Sequence, residues 1–168
     1  AAGTSVLDFA AEHLFSPLDI TVERAIVFHS KEEQLAFNES TTTSGWVSDH
    51  AGVNAGGWGL TLSPVDMAKI GQLYLNDGTW EEKQIVSAKW VNESTSEHSF
   101  WNAPGLSYGY LWWIVDDQDK ACAAMGDGGN VIYFNKKKNL VITIASLFSP
   151  NARDRIEFIK EFIEPAFV

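Results

Sequence analysis

Cysteine is nearly absent: Cys122 is the single cysteine in 168 residues. One thiol excludes an internal disulfide and a multi-cysteine zinc site, and it fits a reducing, cytoplasmic compartment. Basic residues are scarce too. Twelve Lys and Arg stand against 22 Asp and Glu, a formal charge of −10. That balance excludes the clustered cations by which a protein holds a nucleic-acid backbone or an anionic membrane. The only basic run, Lys136-Lys137-Lys138, reads as a solvated turn between two strands. No run of about 18 apolar residues occurs, so no membrane-spanning helix is expected. His13, His29, His50 and His98 are scattered, with no His-x-x-x-His pair for one helix face, and neither a metal nor an organic cofactor is expected. Ser-x-x-Lys, which sets a lysine beside a nucleophilic serine, occurs nowhere, so no nucleophile is assigned in this chain. Tyr74-Leu75-Asn76 spells Tyr-x-Asn, but it ends an amphipathic stretch where Tyr74 reads as a packing anchor.

What is present is a core former. Apolar residues make up 45% and aromatics 12%, with seven Trp, which places the chain among globular domains rather than disordered tails. The first residues already read as a helix, capped by Ser5 or Thr4 and followed by Pro17, with Leu7, Phe9, Ala10, Ala11, Leu14 and Phe15 as its apolar face. A chain that opens on a helix cap is expected to be a fragment of a larger domain. A short strand is predicted at Arg24–His29 and one or two helical turns at Lys31–Phe37. Ser63-Pro64-Val65-Asp66 starts a helix that Asn76-Asp77-Gly78 stops. Another helix begins at Ser87. Strands are predicted at Tyr108–Val115, Ala121–Met125, Asn130–Phe134 and Leu140–Leu147, and a last helix at Arg153–Ile163. The class is α+β: residues 1–104 form part of a helical region with long loops, and residues 105–168 form antiparallel strands and a closing helix.

Within this frame the string GDGGNVIYF, residues 126–134, sets a cluster of glycines before an apolar strand. With GGWGLTLSPVDMAKIGQLYLNDGTWEEKQIVSAKWVNEST, YGYLWWIV and AAMGDGGNVIYFNKKKNLVITIAS, it resembles the serine β-lactamase-like family. That family includes class C β-lactamases, penicillin-binding-protein-like esterases, D-aminopeptidases and nylon-oligomer hydrolases. The resemblance runs over nearly the whole chain, with Arg24–Thr43 its least familiar part.

The resemblance implies a partial β-lactamase/transpeptidase-like fold, the C-terminal portion of a serine hydrolase. Its Ser-x-x-Lys and Tyr-x-Asn would lie upstream of the opening helix. Ala124-Met125-Gly126 would stand where relatives have Lys-Thr-Gly or His-x-Gly, and the backbone N–H of Asp127 would donate to the oxyanion hole. Met125, Gly126, Gly128, Trp58 and Trp112 would contact the substrate, although alternation along a strand sends Trp112 and Trp113 to opposite faces. Ala124 and Met125 carry neither the cation nor the hydroxyl that holds a lactam's carboxylate. The expected substrate is therefore a small ester, amide or peptide-like acyl compound, and this chain alone is expected to be inactive. Its expected partner is the missing N-terminal segment, or a second copy meeting an exposed sheet surface. The rival expectation is a catalytically inactive binding module on the same fold.

Overall fold

The computed structural model describes residues 3–103, 105–126, 128–147, 149 and 151–167. Contacts divide the chain into Ala1–Ser63 and Pro64–Val168. The division falls before residue 104 because the helix that starts at Pro64 packs on the sheet of the second unit.

In the first unit, α1 (Val6–Ala10) starts where Ser5 Oγ accepts the Asp8 N–H at 3.0 Å. The helix widens into a π turn at Ala11–Phe15 and tightens at Ser16–Leu18, so Pro17 sits inside the last turn rather than beyond it. β1 (Ala25–Ile26) is followed by α2 (Lys31–Glu39), capped by Ser30, whose hydroxyl accepts the Glu33 N–H. β2 (Gly45–Val47) lies parallel to β1 and antiparallel to β3 (Leu60–Thr61). Phe15, Leu18, Ile20 and Val47 are buried.

The second unit opens with α3 (Pro64–Leu75). Gly78, at φ 83°, ends it by turning its N–H back to the Leu73 carbonyl at 2.7 Å. A small hairpin, β4 (Thr79–Trp80) and β5 (Lys83–Gln84), leads to α4 (Ala88–Ser94), capped by Ser87 through the Trp90 N–H. Six strands then follow one another in a meander: β6 (Ser99–Trp101), β7 (Leu106–Tyr108), β8 (Trp113–Asp116), β9 (Ala121–Met125), β10 (Val131–Asn135) and β11 (Leu140–Ile144). Every neighbour pair is antiparallel. The chain closes with α5 (Arg155–Phe158), which runs on through a π turn and a 3-10 turn to Phe167.

Alternation along β9 and β10 builds two cores. Ala121, Ala123, Val131 and Tyr133 pack with Ile159 on one face, joined by Ile156 and Ile163 of the closing helical segment. Cys122 and Phe134 point the other way and pack with Leu75 and Trp112. Covered on both faces, β9 and β10 can be apolar at nearly every position.

The predicted strand Tyr108–Val115 is two strands joined by a turn. Gly109 donates to the Trp112 carbonyl at 2.8 Å, and Leu111 stands at φ 64°. A β-carbon at Gly109 would collide with the Ser94 carbonyl, so this close approach requires glycine. The aromatic pattern resembled one long strand because large residues occupy both the turn and its flanks.

Candidate active site

The glycine cluster is the turn between β9 and β10. Met125, last in β9, pairs with Val131. The Gly126 N–H donates to the Asn130 carbonyl at 3.0 Å, and the Gly129 N–H returns to the Gly126 carbonyl at 2.8 Å. Gly129 takes φ 84°, the left-handed position that closes a hairpin loop of this length. A β-carbon on Gly129 would run into the Arg155 guanidinium and the Ser146 hydroxyl. At Gly126 the nearest atom it would meet among the described residues is the Asn130 carbonyl oxygen at 3.9 Å, an ordinary contact distance. One glycine is required by the turn; at the other a β-carbon would meet no clash among the described residues.

Behind the turn lies a bracing chain. Ser146 Oγ donates to the Gly128 carbonyl at 2.9 Å, and the Ser146 N–H donates to Asn130 Oδ1 at 3.0 Å. Arg155 Nη2 donates to Ser146 Oγ at 3.3 Å, while its Nη1 holds the Arg153 carbonyl at 2.9 Å. Backbone amides held from behind keep their direction when charge develops in front of them. Asn130, Ser146 and Arg155 are not legible in the sequence, because no local spacing links residues 9 to 25 positions apart.

Of the residues expected to touch substrate, Asp127 lies outside the described residues. Gly126 and Gly128 share the turn. Met125 is half-buried and packs against the core beneath the closing helical segment. Trp112 is 5% exposed, with ring centres 4.5 Å from Tyr74 and 5.2 Å from Phe134. That packing leaves its indole no free face for a ligand, so here Trp112 is a core residue. Tyr74, in contact with Trp112 and Phe134, likewise packs. Trp58 belongs to the first unit, half-exposed and stacked on Phe28.

Two further spellings resemble catalytic motifs. Gly105-Leu106-Ser107-Tyr108-Gly109 reads Gly-x-Ser-x-Gly, the letters of a nucleophile elbow. An elbow needs a strand-to-helix turn, whereas Ser107 lies within β7, paired with Phe100 and Ile114, and its hydroxyl donates to Glu97. Tyr133-Phe134-Asn135 is a second Tyr-x-Asn, but Tyr133 is wholly buried. Burial, followed by its hydrogen bond to Glu164, pushes the Tyr133 phenol well above its ordinary range, the wrong direction for a base. Among the described residues no three His, Cys, Asp or Glu side chains cluster as a metal site, and no helix is long and apolar enough to cross a membrane.

No family model and no curated protein matches the sequence. Solved structures do. A putative 6-aminohexanoate-dimer hydrolase from Bacillus anthracis aligns at TM-score 0.59 and 26% identity, over 68% of this chain and 31% of its own. The octameric penicillin-binding protein homologue from Pyrococcus abyssi aligns at TM-score 0.56 and 18% identity, over 91% of this chain and 36% of its own. The chain has the serine β-lactamase-like fold. Only part of that fold is here: the chain spans about a third of the length of these β-lactamase-like structures. A family VIII carboxylesterase also aligns, at TM-score 0.45 and 20% identity, over 56% of this chain and 29% of its own.

Proposed function

We propose that this chain is the C-terminal part of a β-lactamase-like serine hydrolase acting on a small ester, amide or peptide-like acyl compound. The observation that carries the reading is the turn at the end of β9. Its backbone is held by Ser146 and Asn130, and Gly126 presents no side chain beside the strand end. An acyl-transfer centre needs such an edge, because the tetrahedral oxyanion must be met by amides that do not reorganise. In this reading a serine supplied upstream attacks the acyl carbon. The carbonyl π electrons move to oxygen, and the serine proton passes to an upstream base. Collapse of the intermediate expels the alcohol or amine and leaves an acyl-enzyme that water cleaves. The Asp127 amide and the serine's own amide would share the oxyanion.

The decisive experiment compares the intact protein with residues 1–168 in hydrolysis of p-nitrophenyl esters. The intact protein should turn over and be stopped by a serine-directed phosphonate, while residues 1–168 stay silent. A parent reading frame without Ser-x-x-Lys, or turnover by the shorter chain that the phosphonate stops, would overturn the proposal.

A further inference from the structure

In the first unit an open sheet edge faces a cleft. β1 is the outer strand of the order β1-β2-β3. The carbonyls of Arg24 and Ile26 turn inward, accepting the Trp46 N–H at 2.9 Å and the Ser48 N–H at 2.8 Å. Alternation along the strand then sends the N–H and C=O of Ala25 and Val27 away from β2, to the open side. Each is a ladder group without a ladder, and backbone groups of that kind seek partners.

A cleft of about 310 Å³ lies along this edge. Residues 24 and 26–28 line one side, and α2 with the turn after it lines the other; no residue of β2 or β3 takes part. A groove between an edge strand and a helix is a geometry in which an extended peptide adds to a sheet. Ile26, Val27, Phe28, Ala36 and Phe37 make its middle apolar. None of these residues is buried, so the groove is open to a ligand.

The two ends of the groove differ in charge. At one end stands Arg24, exposed and, among the described residues, without an ion pair. Ser40 and Thr43 line the cleft beside it. Ser40 Oγ accepts from Thr43 Oγ1 at 2.6 Å and from the Thr42 N–H at 3.3 Å, so its own hydroxyl hydrogen is unspent. A guanidinium and a free hydroxyl together suit a carboxylate. At the other end stands Glu33, whose Oε2 accepts the His29 N–H at 2.7 Å and whose second oxygen is left as an acceptor. That end suits an ammonium. Arg24 and His29 are five residue steps apart, about 16 Å of extended chain, the span of a tetrapeptide with its charged termini.

We infer that this groove binds a short free peptide as a fourth strand, antiparallel to β1, with its carboxylate at Arg24 and its amino terminus at Glu33. Alternate peptide amides bond to Ala25 and Val27, and apolar side chains lie against Phe28 and Phe37. The site rests on the first unit alone and stands independently of the acyl-transfer reading.

The test is a titration of the ¹⁵N-labelled protein with the tetrapeptide Ala-Val-Thr-Val, following the Ala25 and Val27 amide signals. Saturable shifts are expected at millimolar concentration or below. The C-terminal amide of the peptide should bind about three- to tenfold more weakly, and Arg24→Gln should erase that difference. N-terminal acetylation should weaken binding by a similar factor of about three to ten, and Glu33→Gln, which keeps an acceptor for the His29 N–H, should erase it. Two further peptides carry one N-methyl group, on the second or on the third residue. Only one of these amides faces β1, so one peptide should lose binding and the other keep it. Absence of saturation by about 20 mM, equal binding of acid and amide, or two N-methyl peptides that behave alike would overturn the assignment. None of these outcomes depends on ester turnover by the intact protein.

Discussion

Tyr133 Oη donates to Glu164 Oε1 at 2.5 Å, tying the middle of β10 to the last helical turn. Asn135 Nδ2 reaches the same oxygen at 2.9 Å, and Lys138 Nζ reaches the other at 3.0 Å. Burial raises the Glu164 pKa, but the hydrogen bonds from Tyr133, Lys138 and Asn135 outweigh it and hold the carboxyl below its ordinary range.

Replacing Glu164 by Leu should therefore cost about 2–4 kcal/mol, because Tyr133 and Asn135 lose their buried acceptor. The measurement is urea unfolding. A depressed carboxylate contributes stability above its unfolded pKa of about 4.3, and that contribution is lost as pH falls through the lower folded value. Glu164→Gln should accordingly flatten the acid limb of the stability profile. An unchanged limb would show that Glu164 does not set it.

Two glycines in one turn should behave differently. Gly129→Ala forces a β-carbon into the Arg155 guanidinium and Ser146 hydroxyl at φ 84°, and it should destabilise by about 1–3 kcal/mol. Gly126→Ala meets only an ordinary contact with the Asn130 carbonyl among the described residues and should change stability by less than about 1 kcal/mol. In the intact protein the same Gly126→Ala change should lower kcat/KM for ester hydrolysis by about tenfold or more, since it fills the space beside the proposed oxyanion edge. Full activity in a folded Gly126→Ala protein would remove the turn from the site.

Cys122 should be inert while the second unit is folded. It is 4% exposed, and burial pushes its thiol up to about 12. At pH 8 the thiolate is then on the order of one part in ten thousand. Iodoacetamide labelling followed by intact mass should show no adduct in native buffer and one adduct in urea. Rapid labelling of the folded chain would contradict the burial.

Gly71 sets helix propensity against packing. In isolation Gly→Ala within a helix gains about 1 kcal/mol. In α3 a β-carbon at this position would lie 2.6 Å from Val141 Cγ1 and 3.0 Å from Ile132 Cγ2, both on the sheet beneath. Overpacking of that kind costs about 1–3 kcal/mol, so Gly71→Ala should lower the melting temperature, by calorimetry, rather than raise it. A higher value would mean the helix can lift off the sheet cheaply.

The residues themselves determined the elements whose causes are local. Ser5, Ser30 and Ser87 cap the helices they precede, Gly78 stops α3, and alternation through Ala121–Met125 and Val131–Asn135 marks two strands buried on both faces. The same letters misread 108–115, because aromatic bulk does not reveal that Gly109 must clear the Ser94 carbonyl. Tertiary structure alone decided that Trp112 packs as core and that Ser146 and Arg155 brace a turn far from them in sequence. Caps and periodicities are fixed within one turn or one strand. Burial and bracing depend on which distant segments meet, and no local spacing encodes that.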